Sequence, residues 1–316
     1  MTSSIAPIAG VDISKDTLDA ALHPSGQARS FANDRTGHTA LLRWLASHDV
    51  RQIVFEATGP YHRAMERRLA QIDFAYVKAN PRQVRRFAEA TGTIAKTDRV
   101  DAIVLARFGA LLQPSVTPPR SDVVDQLAEL VAARRNLVRD RTATTNRAKT
   151  LTIDLLKRQA TQRLRQITQQ LDALDAQARA VIAAEPVLVR RLAVLTSIPG
   201  LGEITAIALI ADMPELGQMD SKQAASLAGL APVARQSGTW RGKSFIRGGR
   251  AHLRQALYMP ALVAARFNPD LKATFSALVS AGKPAKVAIT AVMRRLLVLA
   301  NALLRDDRIW TVRRAA

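Results

Sequence analysis

Apolar positions follow two different rhythms along the chain, and the change between them divides it. Over roughly the first 110 residues, short apolar runs alternate with segments whose apolar residues fall three and four apart. Ile8 to Leu22 reads as a strand and its continuation, Gln52 to Thr58 as a short buried strand and Phe74 to Ala79 as another. Between them, Thr39 to Ser47 and Tyr61 to Ala70 have helical spacing. This alternation predicts an α/β domain on a mixed sheet over residues 1–115. Three prolines between Gln113 and Arg120 then interrupt the pattern.

From Val123 to Ala183, Gly and Pro vanish, and Leu164, Ile167, Leu171, Leu174, Ala178 and Val181 step by three and four. Such a heptad seam predicts a long helical hairpin or a coiled coil over residues 120–185, the latter able to join protomers. An amphipathic helix packed on its own domain satisfies the same pattern. Residues 186–316 read as mainly helical with turn punctuation. There Pro199-Gly200-Leu201-Gly202 resembles a helix-hairpin-helix turn, whose glycines let backbone N–H groups reach a phosphate. A plain interhelical turn is the alternative.

Charge changes this picture more than composition does. Lys and Arg number 46 against 26 Asp and Glu, a formal charge of +20. From Val233 to Ala316 there are 16 Lys or Arg against 3 Asp, a net of +13, so most of the excess sits in the last quarter. That density points to a phosphate-rich partner, with nucleic acid ahead of an anionic membrane. The longest apolar run noted, Ile204 to Ala211, falls far short of the roughly 20 residues a membrane span needs. With no secretory signal in Met1 to Gly10, the expected location is the cytoplasm, on the nucleoid when bound to DNA. There is no cysteine, and the five histidines lack ligand spacing. Any metal must then rest on oxygen ligands, which suits Mg²⁺ or Mn²⁺.

Four acids stand where such ligands would be needed. Asp12 follows Ile8-Ala9-Gly10-Val11, and Glu56 ends the apolar run Ile53-Val54-Phe55, each at a strand position that would otherwise favour an apolar residue. Asp98 and Asp101 open a helical segment three residues apart, which places both on one face. Like charges so placed repel unless a proton or a cation lies between them. Two strand acids facing two helix acids would make an oxygen-rich pocket for two divalent ions. The bland alternative is that Asp98 and Asp101 only favour a helix N-terminus or pair with Arg99 or Lys96. Asp16 and Asp19 read as surface residues.

Gly10-Val11-Asp12, Phe55-Glu56-Ala57-Thr58-Gly59 and Lys96-Thr97-Asp98-Arg99-Val100-Asp101-Ala102 resemble signatures of the insertion-sequence 110 family of transposases. So do Ile198-Pro199-Gly200-Leu201-Gly202, Leu227-Ala228-Gly229-Leu230-Ala231-Pro232, Gln236-Ser237-Gly238 and Leu253-Arg254-Gln255-Ala256-Leu257-Tyr258-Met259-Pro260-Ala261. The resemblance implies a multidomain α/β plus α chain. Its N-terminal domain would be ribonuclease-H-like, as in Holliday-junction resolvases, with Asp12, Glu56, Asp98 and Asp101 as its acids. It implies a C-terminal transposase domain whose catalytic serine maps onto Ser237. It also implies donor and target DNA as substrates, a structured bridge RNA encoded by the element, and a homo-oligomer, a dimer assembling to a tetramer, in which the two domains meet between protomers. Related DNA invertases share the fold.

Taken alone, Ser237 in Ala234-Arg235-Gln236-Ser237-Gly238-Thr239-Trp240-Arg241-Gly242-Lys243 is an ordinary turn residue. As a nucleophile it would need a base, a metal or a polarised phosphate, and Arg235, Arg241 and Lys243 are close in sequence to supply the last. Arg247, Arg250 and Arg254, with Trp240 and Phe245 interleaved, suit phosphate contact and stacking, although Trp240 is equally suited to a core. Three rival functions share some of these features. They are a metal-dependent nuclease using water, a non-catalytic nucleic-acid-binding protein, and a sugar-kinase-like or actin-like ATPase, which would need a Gly-rich phosphate hairpin absent from the first domain.

Overall fold

The computed structural model describes residues 6–57, 59–93, 97–118, 121–242 and 244–312, and divides into two units, Met1–Pro119 and Arg120–Ala316. In the first unit, strands β1 (Ile8–Ile13), β2 (Thr17–His23), β3 (Ala28–Ala32), β4 (Gln52–Glu56) and β5 (Ala75–Ala79) form one sheet in the order β3-β2-β1-β4-β5. β1 pairs antiparallel with β2 and β2 with β3, while β4 is parallel to β1 and β5 to β4. What reads in sequence as one strand continued to Leu22 is thus a hairpin, turned at Ser14 to Thr17 by a backbone bond of 2.9 Å between them.

Alternation along the strands sorts their side chains onto two faces. Val11, Leu18, Ala20, Ile53, Phe55 and Tyr76 pack with Leu41 and Leu45 of α1 (Arg35–Ala46) and Met65 and Leu69 of α2 (Arg63–Gln71). On the other face, Val54 and Val77 pack with Val84 of α3 (Pro81–Ala90) and Val104, Leu105 and Phe108 of α4 (Asp98–Leu112). β3 and α3 were not anticipated. β3 carries only one buried residue, Phe31, and α3 one, Val84, so neither offers much apolar periodicity.

The second unit begins with α5 (Asp122–Ala148) and α6 (Asp154–Ala183), an antiparallel helical hairpin. Of the heptad seam, Ile167, Leu171, Ala178 and Val181 are buried within this one chain. Within this chain they pack as the helical-hairpin reading expects. Leu127, Val131, Val181 and Ile182 share one core with α7 (Pro186–Thr196), α8 (Glu203–Asp212), α9 (Ser221–Leu227), α10 (Ala251–Phe267), α11 (Pro269–Ser280) and α12 (Ala285–Arg305). Between α9 and α10 a narrow β-arm rises, with β6 (Pro232–Val233) paired to β9 (Phe245–Ile246) and β7 (Gln236–Ser237) to β8 (Trp240–Arg241).

Contrary to the reading of apolar runs, α12 is long and apolar enough to cross a membrane by length and composition. The pair Arg294-Arg295 hides this in the sequence. Val292, Leu296, Leu297, Ala300 and Leu303 of α12 are buried in the unit's core.

Candidate active site and nucleic-acid interface

Helix α4 lies antiparallel across β1, and the glycines decide how closely. A Cβ at Gly109 would lie 2.6 Å from Val54 Cγ2 and 3.0 Å from Ile8 Cγ2, and one at Gly10 would lie 2.1 Å from the Ala102 carbonyl oxygen. Gly109 therefore sits over Ile8, and Ala102 over Gly10. Continued one turn, α4 brings Asp98 and Asp101 over Asp12, which shares the Gly10 face of β1. Glu56 shares the Val54 face of β4, and β4 is registered beside β1 up to Val11–Phe55, one residue before both acids. Asp12 thus lies beside Asp98 and Asp101 of α4, while Glu56 ends the parallel neighbour of β1, and its charge is not among those felt by Asp12. Thr97 caps α4, accepting from the Val100 N–H at 3.3 Å, so the two helix acids occupy its first turn, where the N-terminal dipole also favours them.

Burial and like charge act together on Asp12. Burial first, then the charges of Asp101, Asp98 and Asp19, push the Asp12 carboxyl up to about 6, with a backbone hydrogen bond at Ile13 opposing. Asp19 is the residue that sequence reading missed. It pairs across the hairpin with Asp12, is half-buried rather than a surface residue, and its Oδ1 accepts from the Ser30 hydroxyl. Only the register of β1 against β2 reveals it. Among the described residues no three acids or histidines converge tightly enough to enclose an ion. The donor set is all oxygen, which in chemistry fits Mg²⁺ or Mn²⁺.

Ser237 ends β7 beside the turn at Gly238, whose φ of 56° is left-handed, and it is exposed on the arm opposite Trp240. Arg235 lies over the Phe245 ring at 5.5 Å, and Arg247 is exposed just past β9. Trp240 and Arg241 belong to β8, and Lys243 lies outside the described residues.

Two other basic residues expected at DNA have partners within the second unit. Arg250 grips Glu215 with both terminal nitrogens, at 3.0 and 2.8 Å, and donates to the Asp212 carbonyl at 2.7 Å. Arg254 donates to the carbonyls of Gly248 and Ala228, at 2.5 and 3.4 Å. With them, Gly249 meets Gly229 so closely that a Cβ on Gly249 would lie 2.1 Å from the Gly229 nitrogen. These contacts anchor the base of the arm. The helix-hairpin-helix reading also divides. Gly200, at φ 102°, is needed because a Cβ there would lie 2.6 Å from the Ala264 nitrogen, so it packs closely against α10. Gly202 faces open space at the start of α8, but Glu203 follows it, bound to Arg179 at 3.0 Å.

Comparisons place these features in a known context. Residues 9–156 match a family described as transposase, and residues 192–276 one described as transposase IS116/IS110/IS902 family. The chain is 32% identical to the pilin gene-inverting protein of Moraxella bovis over 314 residues, covering 95% of this chain and 96% of that one. The pilin gene-inverting protein of Moraxella lacunata matches with the same identity and coverage. It is also 30% identical to the insertion element IS110 uncharacterized 43.6 kDa protein of Streptomyces coelicolor, over 52% of this chain and 40% of that one.

Proposed function

Because the chain belongs to the IS110 family of transposases and is a DNA recombinase, we propose that it cuts and rejoins DNA through a covalent serine–phosphate linkage. We read its first unit as a ribonuclease-H-like domain. The position of Asp12 and Glu56, at the carboxyl ends of adjacent parallel strands where open α/β sheets bind ligands, supports that reading. Asp12, Glu56, Asp98 and Asp101 are the residues that would hold Mg²⁺ or Mn²⁺. An ion there would stabilise charge on the phosphoryl oxygens.

Ser237 is the proposed nucleophile. Its Oγ bonds to phosphorus as the bond to the leaving DNA oxygen breaks; the hydroxyl proton is released, and the leaving oxygen takes one up. The new phosphodiester retains the energy of the old, so attack by another strand's hydroxyl rejoins DNA without ATP. Arg235, held over Phe245 at the foot of the arm, offsets phosphate charge. Arg241, Lys243 and Arg247 add basic residues nearby in sequence, and Trp240 would offer a ring for stacking. The proposed partners are donor and target DNA, an element-encoded bridge RNA and further copies of the chain, a dimer assembling to a tetramer, acting in the cytoplasm on the nucleoid. Family resemblance and the basic C-terminal quarter support them. In function, residues 1–115, 120–185 and 186–316 would act as catalytic, connecting and transposase parts.

The single observation that carries the reading is the placement of Asp12 beside Asp98 and Asp101 of α4 and Asp19 of β2, and burial together with their charges pushes its carboxyl up to about 6. A structural ion-pair role would lower its pKa, and no such partner dominates. The test is to trap the wild-type protein on a nicked substrate, denature it and seek a nucleotide linked to Ser237 by mass spectrometry. Ser237→Ala should lose cleavage and joining together. Cleavage by that variant would instead establish a nuclease that uses water.

A further inference from the structure

The ladder joining β1 to β4 stops at Val11–Phe55, one residue short of Asp12 and Glu56. Beyond it the two strand ends are tied by Asn33. Its Nδ2 donates to the Ser14 carbonyl at 2.8 Å and to the Tyr61 carbonyl at 3.2 Å. Ser14 lies two residues past Asp12, and Tyr61 five past Glu56. The backbone N–H of Asn33 also donates to the Asp16 carbonyl at 2.9 Å, so the β1–β2 turn is gripped twice.

The orientation of this amide is fixed from behind. Asn33 Oδ1 lies 2.9 Å from His38 Nε2. Since the two carbonyls can only accept, the amide must turn its NH₂ towards them and its oxygen towards a donor, and His38 must carry its proton on Nε2. His38 is 5% exposed. Its burial keeps the ring below the ordinary histidine pKa, against the nearby Asp34 charge, and so favours the neutral form. Its place is set by the start of α1. Asp34 caps that helix through the Gly37 N–H at 2.7 Å, and a Cβ at Gly37 would lie 1.9 Å from the Ala32 carbonyl, so α1 is pressed onto the end of β3.

We propose that Asn33, oriented by His38, is a positioning residue that sets the spacing of Asp12 and Glu56 for the divalent ion. The proposal rests on the metal reading above. Oxygen ligands to Mg²⁺ must lie near 2.0 to 2.1 Å, a tolerance that two freely drifting strand ends would not meet. Groups that orient ligands without touching the ion typically change metal affinity ten- to a hundred-fold when removed.

The test is Mn²⁺ binding by the full chain, followed by loss of the free-ion signal in electron paramagnetic resonance, with circular dichroism as the check on folding. Asn33→Ala should raise the half-saturating Mn²⁺ concentration roughly ten-fold or more. Asn33→Asp should do the same, because it keeps the side chain's size but sets a carboxylate against two carbonyls. His38→Gln retains a donor to Asn33 and should stay within about three-fold of wild type, whereas His38→Leu should follow Asn33→Ala. If Asn33→Ala does not fold, the contrast between the two His38 variants decides. Asp12→Asn is the reference. Should it bind Mn²⁺ as wild type does, the metal reading falls and the clamp with it. If Asp12→Asn loses binding while the Asn33 variants keep wild-type half-saturation, the acids stand as ligands and the clamp is overturned.

Discussion

Gly10 on β1 and Ala102 on α4 stand so close that a methyl group on Gly10 would lie 2.1 Å from the Ala102 carbonyl oxygen and 2.3 Å from the Ala106 nitrogen. Both neighbours are backbone, so neither can turn aside. The contact brings the first turn of α4, with Asp98 and Asp101, onto the strand that carries Asp12. Packing and chemistry are coupled through one missing side chain.

Gly10→Ala should therefore cost about 3 kcal/mol or more in a denaturant titration, the upper range of overpacking. Gly26→Ala is the control. Its φ of 73° is strained for alanine but nothing lies within 4 Å, so about 1 kcal/mol is expected. Equal losses at both positions would deny the close helix–strand approach.

Asp12→Asn should raise the thermal midpoint of the metal-free protein near neutral pH while abolishing strand cleavage. The native Asp12 carboxyl titrates near 6 rather than 3.8, so the folded state holds its proton more tightly than the unfolded state. Wild-type stability then falls as pH rises through that window, and asparagine escapes the loss. After allowance for solvent screening, the gain should be about 1 to 2 kcal/mol near neutrality and should vanish below about pH 4. Melting curves at the two pH values check this, and an unchanged midpoint at neutrality would refute it.

The sequence exposed the acids because charge at buried strand positions is a local signal, and because two acids three residues apart on a helix share a face. Asp19 stayed hidden, since its neighbour Asp12 is set by hairpin register, which no run of residues displays. The arginines of the last quarter are not told apart by such local signals. Charge density marks Arg247, Arg250 and Arg254 alike, but Arg250 meets Glu215 thirty-five residues away, and Arg254 meets carbonyls across a glycine contact. Periodicity found the α5–α6 hairpin yet could not say which surface its seam would cover, because one chain or two would bury it equally well.

Glu66 should be a pH-dependent support of the first unit. Burial alone would raise its carboxyl, but hydrogen bonds from His62 and Lys78, and the charges of both, outweigh this and hold it at about 2. Lys78 Nζ stands 2.5 Å from Glu66 Oε1, and the Tyr76 hydroxyl donates to the same oxygen at 3.3 Å. Because the folded pKa lies below the ordinary 4.5, the stabilisation is complete above that value and is lost as pH falls towards 2. Glu66→Gln should cost about 3 kcal/mol near neutrality by leaving Lys78 uncompensated, with the gap to wild type closing in acid. A constant gap across that range would show that charge is not the cause.

Arg247 and Arg250, three residues apart in sequence, should fail in different ways. Arg250 is committed to Glu215 and to the Asp212 carbonyl, so Arg250→Ala should cost about 2 kcal/mol of stability, as for hydrogen bonds to charged groups. Any loss of DNA affinity would then follow from loosening of the arm's base. Arg247 is exposed where the arm returns to α10, with its charge available to a phosphate. Arg247→Ala should leave the melting temperature unchanged, weaken DNA binding across all sequences, and reduce the slope of log affinity against log salt by about one. Parallel melting and salt-titrated binding measurements separate the two roles. If Arg247→Ala leaves both affinity and slope as they are, the arm's basic face does not contact the DNA backbone at that position, and the phosphate-neutralising role falls to Arg235 and the residues of the arm's tip.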